Sequence, residues 1–284
     1  MQPAPHRVIL IILDGLAWPV AQQTLGYVQG LCAAGLASSH RLQCELPSLS
    51  RPLYECILTG STPIQSGVTH NRVQRLSNQT SLFHLAQSAG LRTAAAAYHW
   101  ISELYNRAPF EAKRDRLTID NQLPIQYGLF YQRDDYPDDH VFLDAEQLVR
   151  RYQPDLLVVH PMNIDDAGHQ HGLNSAAYRN SARQADSLLA DFVPDWLAAG
   201  YQIVLTSDHG MNDDGSHGGT LTEERDVPLY LIGSAFNHAS QSTPQQTELC
   251  GLCADLLAIS HDKPRCPELL AGTVAEAGTE ATAC

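Results

Sequence analysis

Three runs of branched aliphatic residues, far apart in the chain, are each followed within a few residues by Asp or His, the side-chain types that ligate metals. Val8-Ile9-Leu10-Ile11-Ile12-Leu13 ends at Asp14. Leu156-Leu157-Val158-Val159 is followed by Asp165 and His169. Ile203-Val204-Leu205 runs through Thr206-Ser207 to Asp208 and His209. A continuous apolar run without alternation belongs to a strand buried on both faces, which is the signature of a parallel sheet covered by helices. Helix-like stretches separate the runs, so the pattern predicts an α/β fold: a three-layer α/β/α sandwich with a mostly parallel central sheet. In such open sheets the ligand crevice lies beyond the carboxyl ends of the strands. Side chains placed just after several strands therefore converge on it.

The remaining elements follow the same rhythm. Strands are expected at 7–13, 37–45, 91–98, 155–160, 202–207 and 227–232. Helices are expected at about 18–35, 50–59, 81–89, 142–152, 174–199 and 245–258. Residues 1–270 read as one catalytic domain and 271–284 as a flexible tail of small polar residues. The rhythm fails over about 99–140, where Trp100, Tyr105, Phe110, Tyr127, Phe130, Tyr131 and Tyr136 stand among many charges. A long segment without periodicity is usually functional or disordered, and its aromatics argue against disorder. It is expected to be an insertion over the strand ends that walls the substrate pocket.

Charge and cysteine usage narrow the partners. A net charge of −13 disfavours a nucleic acid polymer and an anionic membrane surface. An acidic protein that handles anions must supply positive charge locally, and bound metal does so. The seven cysteines are odd in number and irregularly spaced, which suits a reducing compartment better than a disulfide framework. Cys250 and Cys253 form a lone CxxC within an apolar helical stretch, which reads as packing. The first apolar run lacks the flanks of a signal peptide, and no run approaches the ~20 residues of a membrane span. Together these predict a cytoplasmic protein acting on a small-molecule substrate, away from membranes; they leave the oligomeric state open.

The candidate chemistry is metal-assisted. Asp165 and His169 are four apart, on one face of a helical turn. Asp208 and His209 are adjacent at a strand end. His217 lies in Gly215-Ser216-His217-Gly218-Gly219, where glycines permit close approach. Imidazole and carboxylate donors without thiolate suit zinc, with manganese or iron as alternatives. Singly, each Asp could be a turn or cap residue and each His a surface residue; the argument rests on their joint placement. Ser50 opens a predicted helix, where free N–H groups favour an anion. It is either a cap or a nucleophile activated by metal, since no Gly-x-Ser-x-Gly elbow surrounds it.

These segments resemble the alkaline phosphatase superfamily, in particular its nucleotide pyrophosphatase/phosphodiesterase (type I phosphodiesterase) branch, and phosphonoacetate hydrolase beside it. The matching pieces are Ile11-Ile12-Leu13-Asp14-Gly15, Pro47-Ser48-Leu49-Ser50-Arg51-Pro52, Asp165-Asp166-Ala167-Gly168-His169-Gln170-His171-Gly172 and Thr206-Ser207-Asp208-His209-Gly210-Met211 with His217. The resemblance implies an alkaline-phosphatase-like fold and two zinc ions. Asp14, Asp208 and His209 would hold one ion, which also contacts Ser50. Asp165, His169 and His217 would hold the other. It further implies a phosphoserine intermediate and hydrolysis of a phosphodiester or nucleotide, with carbon–phosphorus cleavage or monoester hydrolysis as alternatives. The family's phosphate-binding Asn is expected three residues after the nucleophile, where this chain has Leu53. Arg51, Asn71 and Trp100 are therefore the candidates to bind substrate, with His70 and Arg72 nearby. A sulfatase would need Arg where Tyr54 stands. A metal-binding pseudoenzyme would be expected to lack part of the ligand set, which is complete here.

Overall fold

The computed structural model describes residues 5–272. Its strands are β1 (Arg7–Ile12), β2 (Ala37–Gln43), β3 (Thr93–Tyr98), β4 (Leu117–Ile119), β5 (Tyr127–Tyr131), β6 (Leu156–Val159), β7 (Tyr201–Thr206) and β8 (Asp226–Ile232). They form one eight-stranded sheet in the order β2-β8-β7-β1-β6-β3-β5-β4. The central strands β7, β1, β6, β3 and β5 are mutually parallel. β8 runs antiparallel to both β7 and β2, and β4 antiparallel to β5. β2 therefore points the same way as β1, and its carboxyl end delivers the chain to the same side of the sheet.

The continuous apolar runs behave as expected for strands buried on both faces. Val8, Leu10 and Ile12 join the core on one face, and Ile9, Ile11 and Leu13 the core on the other. The long Ala176–Ala198 helix and the Asp138–Tyr152 helix supply the second core. The Ser50–Thr59 and Leu249–Leu256 helices cover the first. Each fully buried Leu or Ile contributes about 1.5–3 kcal/mol relative to exposure. Cys250 and Cys253 are buried in that first core, as packing residues. Among the described residues no helix is long and apolar enough to cross a membrane.

Two expectations need correction. The stretch predicted as one helix over 18–35 is two helices, Trp18–Thr24 and Gly26–Ala33, meeting at Leu25. Gly26 opens the second helix, and its first turn is held by the carboxylate of Asp186, which accepts from the N–H groups of Tyr27 and Val28. The segment 99–140 is not simply an insertion laid over the strand ends. It contains the His99–Tyr105 helix and then β4 and β5, which extend the sheet beyond β3. Its aromatics show no alternation because several are packing residues: Tyr127 stacks on Tyr152 at 4.0 Å, and Tyr131 on Tyr136 at 4.8 Å. The tail expected to be flexible lies, from residue 273, outside the described residues.

Candidate functional site

The carboxyl ends of β1, β2, β6 and β7 converge. Asp14 stands two residues past β1, and Asp208 and His209 just past β7. The chain leaving β2 delivers Ser50 as the first residue of its helix. Asp165 and His169 lie four apart on the Asn163–His171 helix that follows β6. Gly15 makes this convergence possible. Its φ is +73°, and a Cβ there would lie 2.8 Å from Cα of Asp165. Only glycine fits both constraints. Its N–H also donates to Oδ1 of Asp208 at 3.1 Å.

Around Ser50 the donors are close. Its Oγ is 3.0 Å from Nε2 of His209. That same Nε2 lies 3.2 Å from Oδ2 of Asp208 and 3.5 Å from Oδ1 of Asp14. A second set adjoins it. Nε2 of His169 is 3.4 Å from Oδ2 of Asp165 and 3.3 Å from Nε2 of His217. Nε2 of His217 is 3.8 Å from Oδ1 of Asp165. The rings of His209 and His217 stack at 3.6 Å between the two sets.

These spacings fit divalent cations. In a tetrahedron with zinc–ligand distances of about 2.0–2.1 Å, neighbouring donors lie about 3.3 Å apart. Among the described residues two groups bring their donor atoms within 4.8 Å of one another, Asp14 with Asp208 and His209, and Asp165 with His209 and His217. Each imidazole is oriented by its other nitrogen. Nδ1 of His209, His217 and His169 faces the carbonyl oxygens of Gly210, Ser48 and Gly215 at 2.8, 2.7 and 2.8 Å. That arrangement fixes the tautomer and leaves Nε2 for a ligand. Oδ1 of Asp14, Oδ1 of Asp165 and Oδ2 of Asp208 are buried and accept no hydrogen bond. Buried acceptors are normally satisfied, so three orphans aimed at one place call for a cation.

The electrostatics agree. Burial, then the charges of Asp14 and Asp165, push Asp208 well above the carboxylate range. Burial and the charge of Asp14 raise Asp165. Asp14 is also raised by burial, but the hydrogen bond from His160 and the charges of His209 and His160 outweigh this and bring it to about 2. The hydrogen bond that His169 donates to Asp165 lifts His169 to about 9 against burial, whereas burial lowers His209 and takes His217 to about 4. Three buried carboxylates this close repel one another, and a divalent cation relieves that repulsion.

Every residue expected to ligate or attack is in this cluster. Ser50 caps nothing with its side chain. The tie between helix start and His217 loop is made by Ser48, whose Oγ donates to the carbonyl of Gly219 and accepts from the N–H of Gly218. The substrate-binding candidates divide. Arg51 is a correction: its guanidinium is buried, donates to the carbonyl of Val73 at 2.6 Å and pairs with Glu103 at 2.8 Å. It also lies 4.6 Å from the centre of the Trp100 ring. A charge committed in this way offers no bidentate fork to a phosphate. Leu53 is buried and packs with Cys44 and Cys56. Asn71 is half-buried, and its Oδ1 accepts from the N–H of Arg51 at 3.0 Å, beside Ser50. Its neighbours His70 and Arg72 are exposed.

Two residues escaped the sequence reading. Tyr54 donates from its hydroxyl to Oδ2 of Asp14, and His160 donates from Nε2 to the same oxygen at 2.9 Å. Tyr54 had a signal: it is four residues after Ser50 and so shares its helix face. His160, the residue after β6, had only its position.

Sheet order and the placement of the site at the strand ends define an alkaline-phosphatase-like protein. The sequence model of the type I phosphodiesterase / nucleotide pyrophosphatase family matches residues 8–217, and the chain belongs to that family. Membership of that family supports an enzyme that acts on phosphoester bonds, by hydrolysis or by transfer. Among curated relatives, human GPI ethanolamine phosphate transferase 2, catalytic subunit, is 25% identical across 94% of this chain and 28% of its own length. The Aspergillus fumigatus GPI ethanolamine phosphate transferase 2 is 24% identical across 85% of this chain and 31% of its own. The chain thus spans under a third of these relatives. Among solved structures, murine ectonucleotide pyrophosphatase / phosphodiesterase 5 superposes with a TM-score of 0.72 at 13% identity, covering 93% of this chain and 100% of that one. The C-terminal periplasmic domain of EcEptC from Escherichia coli gives 0.67 at 15% identity, covering 92% and 84%. At such identities these structures share the fold.

The expected cytoplasmic location is overturned by these comparisons, which pair the chain with GPI ethanolamine phosphate transferases and a periplasmic domain. The inference failed because unpaired cysteines report packing as readily as compartment. Cys44, Cys56, Cys250, Cys253 and Cys266 are all buried, and burial raises each thiol.

Proposed function

We propose that this chain is a metal-dependent phosphodiesterase that works through Ser50 on a small phosphodiester, with zinc as the best-matched ion. The observation that carries this reading is the set of three orphaned carboxylate oxygens beside three oriented imidazole nitrogens, one of which meets the Ser50 hydroxyl. Asp14, Asp208 and His209 would hold one ion beside Ser50, and Asp165, His169 and His217 the other. Such ions activate an oxygen nucleophile and offset charge on phosphoryl oxygens. Oγ of Ser50 attacks phosphorus, the bond to the leaving alkoxide breaks, and a phosphoserine forms; the serine proton leaves to solvent and the alkoxide takes one up. Water then attacks phosphorus, the bond to Oγ breaks, and the serine is regenerated. Asn71, whose Oδ1 is held by the N–H of Arg51, directs its amide at a non-bridging oxygen. Trp100, braced by Arg51, flanks the leaving group.

The relatives favour a second reading of the same site, in which an alcohol replaces water as acceptor and phosphoethanolamine is transferred. One experiment separates the cases. Bis-p-nitrophenyl phosphate, p-nitrophenyl phosphate, phosphonoacetate and a p-nitrophenyl ester of phosphoethanolamine are supplied to zinc-loaded and chelator-treated protein, with and without glycerol. Diester cleavage that requires metal supports the proposal, and a glyceryl ester among the products selects transfer. Equal turnover after complete metal removal would sink both.

A further inference from the structure

Asp14 is held differently from the other two carboxylates. Its Oδ2 receives two donors from outside the candidate ligand set, the hydroxyl of Tyr54 and Nε2 of His160. Its Oδ1 receives none and lies 3.5 Å from Nε2 of His209. Asp208 is held by backbone donors only, the N–H groups of Gly15 and His209. Asp165 has no such support among the described residues, where its oxygens face the imidazoles of His169 and His217. The roles of the two donors are fixed by chemistry. A carboxylate has no proton to give, so the Tyr54 hydroxyl must donate. Nδ1 of His160 accepts from the N–H of Tyr98 at 3.4 Å, so its proton is on Nε2, facing Asp14. Tyr54 and His160 are fully buried and meet edge to face at 4.6 Å, so neither has another position to adopt.

We infer that Tyr54 and His160 form a clasp on Oδ2 of Asp14 that presents Oδ1 alone to the ion beside Ser50. Both are positioning residues, acting through Asp14. The clasp keeps Asp14 monodentate. It leaves coordination room for the serine oxygen, which a bidentate carboxylate would take. One helix then does two jobs four residues apart: Ser50 brings the nucleophile, and Tyr54 sets the ligand that keeps a place open for it. This inference rests on the metal-dependent reading above.

The test uses the purified full chain as wild type, Tyr54→Phe, His160→Ala and His160→Gln, the last restoring an N–H donor. Two readouts besides activity are taken: stepwise zinc affinity by chelator competition, and the visible spectrum of the cobalt(II)-loaded protein. Expected is a loss of about 10–100-fold in the tighter zinc step for Tyr54→Phe and His160→Ala. The weaker step should be unchanged and His160→Gln largely restored. The cobalt absorption should weaken in the first two variants as Asp14 turns bidentate and coordination number rises. Unchanged zinc affinities and cobalt spectra in both overturn the clasp. So does an equal loss in both zinc steps with a lowered melting temperature of the metal-free variants, since that is a packing defect. A wild type that takes up no zinc overturns the metal-dependent reading itself, and the clasp with it.

Discussion

The two halves of the site are built to different standards. Around Ser50, the side chains of Asp14, Asp208 and His209 are wholly buried, and both carboxylates have one oxygen tied to a protein donor. Around Asp165, the side chain of His169 is 46% exposed, and the carboxylate has no outside donor. The first half is preorganised; the second faces solvent and keeps room for a ligand. The difference fits a division of labour in which one ion fixes the nucleophile and the other meets the incoming phosphate, because a catalytic metal must retain an open position.

The sharpest way to break this comparison is at Ser50. Ser50→Ala should lower kcat by roughly 10³-fold or more while leaving metal content intact, because three buried donors remain. Ser50→Thr keeps the oxygen and should retain part of the activity. Steady-state kinetics alongside elemental analysis decide it; near-wild-type turnover in Ser50→Ala would mean that water attacks directly.

Next come the imidazoles. His209 is the donor common to both groups, whereas His169 belongs to the open half alone. His209→Ala removes a ligand of the ion beside Ser50 and the ring stacked on His217, so it should abolish stable loading of that ion and weaken the other, whereas His169→Ala should leave about one firmly held ion per chain. Identical metal contents in the two variants would erase the distinction between the halves.

Acidity should also separate them. Without a cation the hydrogen bond to Asp165 lifts His169 to about 9, so it is protonated at neutral pH and must lose that proton to ligate. Affinity of the open half should therefore rise by about tenfold per unit up to pH ~9 and then level off. In the buried half burial lowers His209 and raises Asp208, so its affinity should follow the carboxyl of Asp208 rather than an imidazole. The stability of metal-free protein moves the other way. The raised His169 contributes fully below its ordinary value of 6.5, and the contribution is lost as pH rises through about 9. Zinc competition and urea titration from pH 6 to 10 test both signs.

The smallest effect is expected at the hinge between the halves. Gly15→Ala places a methyl against Asp165 at a left-handed backbone position. It should cost about 1–3 kcal/mol of stability and weaken the open half more than the buried one, because Asp165 has to move. Chemical denaturation and metal titration of this variant measure the two effects separately.

The strands that precede Asp14, Asp165 and Asp208 could be read directly, as could the Ser50–Thr59 helix and the four-residue Asp165–His169 spacing. Each depends on a local pattern: an unbroken aliphatic run marks a strand buried on both faces, and a spacing of four marks one face of a helical turn. The order of the strands, the antiparallel β8 and β4, and the recruitment of β4 and β5 from an aromatic segment without periodicity were decided in three dimensions. So were the partners of the site residues. Arg51 resembled a phosphate fork until Glu103 stood beside it, and nothing local marked His160 as the donor to Asp14, 146 residues away. Sequence periodicity records which face of an element is buried. Which side chain meets which across the sheet depends on how separate elements pack, and that information exists only once the chain has closed on itself.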